Sequence, residues 1–482
     1  MADKNRNDDN QNGLSYIGLT AVAIGATIGG GVFSLAGDMA YNGAHTGAVL
    51  IGWLICGIGM LALTLCFYRL SIVRPDLTGG IYSYAKEGFG DYIGFNSAWG
   101  YWISALLSNV SYATLLFASI GYFIPIFGEG NNLISIVFAS LIIWLMNYFV
   151  LRGVKEAAAI NLVITVSKIL PIIVFIIAII FLRAFDFRIF IKDFWGENGG
   201  LSLINQIKAT SGTTVWAFIG IEGAIVISGR AKKSSDVGKA TITAFLCVLI
   251  IYVLVAVLSM GVMDREQLAS LSNPPMAGIL ESVVGKWGAV IVNLGVMVSL
   301  FGATLGYTII ASECPYAASK HGVFPKIFSK ENKNGSPVFS LYLTNGLIQA
   351  FLIITYFSSS TYQAFYSISA SMIMIPYLLS ALYFFKLSLN KNVNNYSNSS
   401  SSKIIGLIGS IYGCWLIYAN GFIGLIITAL FYAPGIIVYI KGKKERNELY
   451  FDNLKDKIIL AVLIMLAFLS LYLILTGRVK LF

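Results

Sequence analysis

The chain has 482 residues, of which 57% are hydrophobic and only 12% charged, and its mean hydropathy is +0.77; a soluble globular chain carries roughly 25% charge. At about 20 apolar residues per bilayer crossing, such a chain holds a dozen or so membrane spans and leaves no stretch for a separate soluble domain. Most reactions that need a large aqueous cleft are thereby excluded, and the formal charge of +10 has to be read from where the cations stand before any nucleic-acid partner is inferred.

The first residues, MADKNRNDDNQNG, are polar and do not resemble a signal peptide. They read as an uncleaved cytoplasmic tail over 1–13. Apolar runs bounded by polar or Gly/Pro/Asn punctuation then lie near 14–37, 45–68, 95–125, 133–151, 158–182, 209–229, 240–262, 287–318, 338–356, 363–385, 404–419, 421–440 and 458–476. They predict 13 spans. Between the second and third, GGIYSYAKEGFGDYIG is too short and too rich in glycine to cross and reads as an interfacial or re-entrant piece. Between the tenth and eleventh, NKNVNNYSNSSSSK is a low-complexity polar loop. This arrangement divides the chain into the tail, a core over 14–386, a polar cytoplasmic linker over 387–403, and additional spans over 404–482.

Cytoplasmic loops carry the excess of Lys and Arg. With the N-terminus inside, 24 of the 33 cations fall on the inner side, eight on the outer side, and Lys168 inside a span. One missed or invented span would scramble this alternation. The net charge is therefore mostly topology, and no nucleic-acid partner is expected. Five cysteines, Cys56, Cys66, Cys247, Cys314 and Cys414, all sit in apolar segments without metal-ligand spacing and read as packing residues. Two histidines, His45 and His321, leave almost no material for a metal site or a Ser/His/Asp triad.

Within a bilayer the informative positions are those that break its rules. The first span contains Gly25-Ala-Thr-Ile-Gly29-Gly30-Gly31-Val-Phe33. Glycines cost a helix about 1 kcal/mol each relative to alanine, and three in a row free backbone N–H groups to meet a ligand. Helix packing would use spaced glycines instead, and no Lys-Ser/Thr follows to make a phosphate loop. Span six carries a second glycine-interrupted stretch, Ser211-Gly-Thr-Thr-Val-Trp216-Ala-Phe-Ile-Gly220-Ile-Glu222-Gly223. Interruptions in the first helix of two five-helix halves point to an inverted-repeat transporter with a midplane site. Half-helix N-termini there favour a carboxylate and freed carbonyls an ammonium, so an amino acid satisfies both ends.

Glu222 at that depth must pair, protonate or face water, and reads as a gate hydrogen-bonder or proton carrier. Lys168, in NLVITVSKILPIIVF of span five, reads equally as a proton site or as a fixed cation tying spans together. Glu313, near the cytoplasmic end of span eight, is a gate residue or a solvated one. Trp216 stands out by its place beside the break. Asn109, mid-way along the uncharged third span, needs a hydrogen-bond partner, and a helix–helix bond serves as well as a ligand.

On GATIGGGVF, the string from Trp216 to Glu222, and the stretch from Gly302 through AASKHGVFPKIFSKENKNGSPV, the chain resembles the amino acid-polyamine-organocation (APC) transporters, and within them the basic amino acid/polyamine antiporters. DLTGGIYSYAKEGFGDYIGFNSAWGYW, LRGVKEAA, GRAKKSSDVGKAT and the thirteenth span make it similar to arginine/ornithine antiporters. The resemblance implies an all-α integral membrane protein with a LeuT-like 5+5 inverted-repeat core, broken helices one and six, and no cofactor. It implies that the Gly29, Gly30 and Gly31 backbone holds a substrate carboxylate, and that carbonyls of Thr27, Trp216 and Ile219 hold its ammonium. Ser104, Ala105, Asn109, Tyr112 and Tyr307 would form the side-chain pocket. Trp216 would be the lid, Tyr101 and Glu222 would complete the gate, and Lys168 resembles a span-five lysine that replaces a sodium ion in some relatives. Where arginine/agmatine exchangers carry tryptophans in spans three and eight, this chain has Leu106 and Tyr307.

The expected function is exchange of external arginine for internal ornithine across the cell membrane, with no catalytic turnover. Exchange of histidine for histamine or lysine for cadaverine, proton-coupled uptake, and a membrane amino-acid sensor are the alternatives. The expected partners are small amino-acid or amine substrates and the lipid bilayer, with homodimerisation left open.

Overall fold

The computed structural model describes residues 15–77, 81–153, 157–196, 200–222, 234–358, 361–390, 399–451 and 453–481. The tail over 1–13, the part of span six from Gly223 onward, and residues 391–398 of the polar linker lie outside the described residues. All regular structure among the described residues is helical, apart from one isolated bridge between Glu331 and Pro337. With no water to satisfy backbone groups in the bilayer, helices that close their own hydrogen bonds are the economical solution.

Span one is built from α1 (Tyr16–Thr27), a single 3₁₀ turn (Gly31–Phe33) and α2 (Leu35–Tyr41). Then come α3 (Thr46–Val73), the short α4 (Ile81–Phe89), α5 (Asp91–Gly121), α6 (Leu133–Leu151) and α7 (Ala157–Phe181). After α8 (Phe187–Ile191) the chain returns through α9 (Leu203–Phe218), α10 (Ser234–Val262), α11 (Arg265–Ala269), α12 (Pro275–Val284) and α13 (Lys286–Lys320). The series closes with α14 (Val338–Ser358), α15 (Tyr362–Leu389), α16 (Ser400–Tyr432), α17 (Gly435–Glu445) and α18 (Leu454–Leu475). Nine stretches among the described residues are long and apolar enough to cross a membrane, and one of these, Ser400–Glu445, is interrupted at Gly421 (φ 70°, ψ 174°) and supplies spans eleven and twelve. With the two broken helices and α7, the order accommodates the 13 expected spans. The GGIYSYAKEGFGDYIG segment becomes α4, nine residues long and too short to cross. The far-side helices α8, α11 and α12 are not foreseen in the sequence. Each is short and set between spans, where apolar periodicity is hard to tell from a span end.

Helix packing carries the inverted repeat. Spans three and eight (α5, α13) pack together, as do four and nine (α6, α14) and two and seven (α3, α10). Span one packs on seven, and six packs on two. Span five packs on eight, and ten packs on three. Exchanging each span n with n+5 maps every one of these pairings onto itself or onto another of the same set. The same exchange turns the 1·5, 3·4 and 5·7 contacts into 6·10, 8·9 and 10·2. Spans eleven and twelve lean on α15 and α3 from outside, and α18 lies at the periphery with nearly all of its apolar surface facing outward.

Candidate functional site

The two helix breaks come together at the centre of this arrangement. Ser15 caps the start of α1 by accepting from the Gly18 amide, and the helix stops at Thr27 because Ile28 turns to an extended conformation (φ −73°, ψ 94°). The last helical bond runs from the Ile28 amide to the Ile24 carbonyl, so the carbonyls of Gly25 and Thr27 are released from the ladder. The three glycines that follow are closely approached by neighbouring side chains. A Cβ on Gly30 would stand 2.7 Å from Leu300 Cδ2, one on Gly31 3.0 Å from Trp216 Cδ1, and one on Gly29 3.1 Å from the Tyr112 hydroxyl. At the second break Ile219 is extended (φ −59°, ψ 128°) and Gly220 has φ +105°, a left-handed conformation that only glycine adopts without strain.

Side chains from other spans take up the released carbonyls. The buried Tyr252 of α10 places its hydroxyl 3.2 Å from the Thr27 carbonyl and 3.1 Å from the Ala217 carbonyl, bridging both breaks. Tyr307 donates to the Ile219 carbonyl at 3.2 Å. Lys168 is 5% exposed and donates to the Gly25 carbonyl at 3.0 Å. An unpaired buried carbonyl costs about 1–3 kcal/mol, so each donor holds the unwound segment in place.

Aromatic rings close the site on the side of α11 and α12. Trp216 lies against Gly31, with ring centroids 5.4 Å from Tyr112 and 5.7 Å from Tyr366. Its indole N–H donates to the Tyr362 hydroxyl at 3.1 Å, and Tyr112 meets Tyr307 edge-on at 5.1 Å. Behind this cluster Asp38 of α2 is 1% exposed. Its Oδ1 accepts from Gln363 Nε2 at 3.1 Å, while Oδ2 makes no hydrogen bond among the described residues. Gln363 and Asn273 exchange hydrogen bonds of 3.1 and 3.3 Å.

On the opposite side Glu222 closes the site. Its Oε1 accepts from Tyr101 at 3.1 Å, and its Oε2 from Tyr377 at 2.9 Å and the Gly220 amide at 3.2 Å. Three donors from spans three, six and ten thus converge on one buried carboxylate, the satisfaction that burying such a group demands. Each broken span therefore has a buried carboxylate beyond its break, Asp38 on one side and Glu222 on the other.

Thr27, Gly29, Gly30, Gly31, Tyr112, Trp216, Ile219 and Tyr307 are brought to one place, with Tyr101 and Glu222 just beyond it. Ser104 and Ala105 are buried in α5, and the Ser104 hydroxyl lies 3.0 Å from that of Ser369, which also meets Ser108 at 3.0 Å. That hydroxyl thus joins spans three and ten. Asn109 bridges helices as well, its amide donating to the Thr304 carbonyl at 3.2 Å and accepting from the Thr308 amide at 3.3 Å. Glu313 stands apart, exposed on α13. The participants that sequence reasoning missed are Tyr252, Tyr362, Tyr366, Tyr377 and Asp38. Asp38 stands one residue past the end of the apolar run over 14–37. The tyrosines carried no signal in a chain with 26 of them.

Comparison with known proteins agrees with this architecture. A family model described as amino acid permease matches residues 14–468. The arginine/ornithine antiporter of Pseudomonas aeruginosa is 47% identical over 456 residues, covering 92% of this chain and 94% of its own. The arginine/agmatine antiporter of Chlamydia abortus is 42% identical over 478 residues, covering 97% and 98%. That of Chlamydia trachomatis is 42% identical over 475 residues, with the same coverage. With a permease model matched across nearly its whole length and a packing scheme that repeats when spans one to five and six to ten are exchanged, the chain belongs to the amino acid permease family of the APC superfamily.

Proposed function

We propose that this protein is an antiporter of the cell membrane that exchanges external arginine for internal ornithine by alternating access, with its N-terminus in the cytoplasm. The observation that carries the reading is the pair of adjoining breaks, closed by Trp216 on one side and Glu222 on the other, in a chain 47% identical to an arginine/ornithine antiporter. The excess of Lys and Arg on the N-terminal side sets the orientation, so the α11–α12 side faces outward. Residues 14–386 form the transport core, 387–403 a cytoplasmic linker, and 404–482 helices added outside it.

In this reading the Gly29, Gly30 and Gly31 amides receive the α-carboxylate, with the Trp216 ring laid over Gly31 as lid. The carbonyls of Thr27, Trp216 and Ile219 receive the α-ammonium. Tyr252 and Tyr307 hold two of those carbonyls until substrate arrives. Ser104, Ala105, Asn109, Tyr112 and Tyr307 shape the side-chain pocket. Glu222 and Tyr101 form the inner gate, and Lys168 locks the first break. Arginine and ornithine carry equal charge, so one-for-one exchange is electroneutral and needs no coupled ion.

Exchange of arginine for agmatine is the second reading, favoured by the chlamydial relatives at 42% identity. Agmatine lacks the carboxylate and carries one more positive charge, so each cycle would move net charge. The purified protein in liposomes preloaded with one compound at a time separates the two. Radiolabelled arginine should enter only against internal ornithine or arginine, at a rate independent of an imposed potential. Potential-sensitive entry against agmatine would establish the second reading, and uptake into empty vesicles would refute both.

A further inference from the structure

On the α11–α12 side, away from the helix breaks, a cavity of about 480 Å³ opens between the end of α5, the loop around Pro125–Glu129, the segment Leu271–Gly278 and the first turns of α13. That volume is in the range of small-molecule sites, about 300–1,000 Å³. Glu129 and Glu281 line it, and no Lys, Arg or His does. Neither glutamate makes an ion pair among the described residues. Asn293, also in the lining, is 1% exposed. Its Nδ2 donates to the Ala289 carbonyl at 2.9 Å, and its buried Oδ1 has no partner among the described residues.

These unmet groups have one thing in common: all are acceptors. A buried amide oxygen without a donor is costly, and two carboxylates without a cation attract one. The complementary ligand brings several N–H donors and a positive charge, as a guanidinium does with five donors or an ammonium with three. The cavity wall also reaches the outer closure of the central site. Asn273 lines the cavity and is hydrogen-bonded to Gln363, which holds Asp38. A solute that engages Asn273 competes with Gln363 for the same amide, which joins the cavity wall to Asp38 through Gln363.

We propose that this cavity is an outer recognition site for an organic cation, taking the guanidinium or ammonium group of a basic amino acid or amine between Glu129, Glu281 and Asn293 before it enters the central site. The proposal rests on the transport reading for its orientation and for the identity of the solute. Its test is arranged so that the two fail separately.

The first measurement is the half-saturation for external arginine in right-side-out vesicles, for the wild type and for Glu129→Gln/Glu281→Gln. Loss of two steering charges should raise it on the order of tenfold, with no such rise for internal substrate in inverted vesicles. Equal external values would overturn the site. The second measurement does not depend on transport. Equilibrium dialysis of methylguanidinium and arginine against the detergent-solubilised Gly30→Leu variant, whose first break is displaced by collision with Leu300 and Leu115, should show binding that Glu129→Gln/Glu281→Gln or Asn293→Leu removes. If Gly30→Leu does not fold, the same dialysis on the wild type should count two arginines per chain and one after the double substitution. Absence of the second arginine overturns the site whatever the protein transports. A wild type that exchanges no basic amino acid would refute the transport reading, and dialysis would still decide the cavity.

Discussion

Tyr252→Phe removes one oxygen atom and leaves the ring where it packs, with centroids 6.3 Å from Trp53 and 5.4 Å from Phe218. The atom removed is the one that lies 3.2 Å from the Thr27 carbonyl and 3.1 Å from the Ala217 carbonyl. Neither carbonyl has a helical donor, because the chain leaves the helix just after each. One hydroxyl proton is shared between them, so the loss is that of one hydrogen bond in a desolvated place, about 1–3 kcal/mol. The variant should therefore have a lower melting temperature in detergent without substrate. Substrate should restore part of the difference, since its ammonium brings a new donor to the Thr27 carbonyl. The gap between substrate-bound and substrate-free melting temperatures is then wider in Tyr252→Phe than in the wild type. Equal melting temperatures would show that the hydroxyl holds nothing. A normal melting temperature with no response to substrate would show that Tyr252 belongs to substrate binding and not to the bracing of the breaks.

Tyr377→Phe takes one of three donors from Glu222, and a hydrogen bond to a charged group is worth about 1.5–3 kcal/mol; exchange at saturating substrate in proteoliposomes should change by roughly tenfold or more, and an unchanged rate would remove Tyr377 from the gate. Glu222→Gln keeps the shape, since the amide can donate to Tyr101 while its oxygen still accepts from Tyr377 and Gly220. Any pH dependence of exchange that originates in this carboxylate should disappear, and an unchanged profile assigns it elsewhere. Lys168→Met leaves the Gly25 carbonyl without a donor, at about 1–3 kcal/mol. Exchange should fall at every pH while insertion is normal, whereas a proton-carrying lysine would give a loss confined to one limb of the pH profile. At the start of α11 Lys192, 2.9 Å away, holds the Asp264 carboxyl below the usual carboxylate range, and Asp264 also caps that helix. A lowered folded-state pKa means that this stabilisation is complete above the ordinary aspartate value and is lost as pH falls through the lowered one. Asp264→Ala should cost about 0.5–2 kcal/mol at neutral pH, and less once the wild-type carboxyl is protonated and keeps only a neutral acceptor for the cap, as read from paired melting curves.

Much of this architecture can be read directly from the residues. Spans announce themselves because lipid tolerates so few polar groups, and the two breaks do so because Gly29–Gly31 and Gly220 have no other use at that depth. Glu222 and Lys168 are visible for the same reason, as isolated charges in apolar runs. Glycine's reason differs between the two breaks, positive φ at Gly220 and close approach at Gly30, and only coordinates separate the two. Asp38 escapes because its importance depends on where span one ends, a boundary uncertain by several residues. Ser104 and Asn109 illustrate the opposite limit: their polarity is legible, but whether a hydroxyl or an amide faces a ligand or a neighbouring helix depends on Ser369 and Thr304, more than 190 residues away. Tyrosines 252, 362 and 377 become meaningful only when the chain is folded around them.

The span threaded first is completed last. When span one leaves the ribosome, the carbonyls of Gly25 and Thr27 and the carboxylate of Asp38 are already present, while their partners, Lys168, Tyr252 and Gln363, are still untranslated. At about 5–20 residues per second, Tyr252 follows Thr27 by roughly 10–45 s. For much of that interval Lys168 alone of these partners is present to hold the first break, and packing on span seven does not yet exist. The five-span half therefore enters the membrane with its central segment unfinished. Its wait for polar partners makes the second half a folding template as well as a symmetry mate, so the two halves expressed as separate chains should be protease-resistant only when made together.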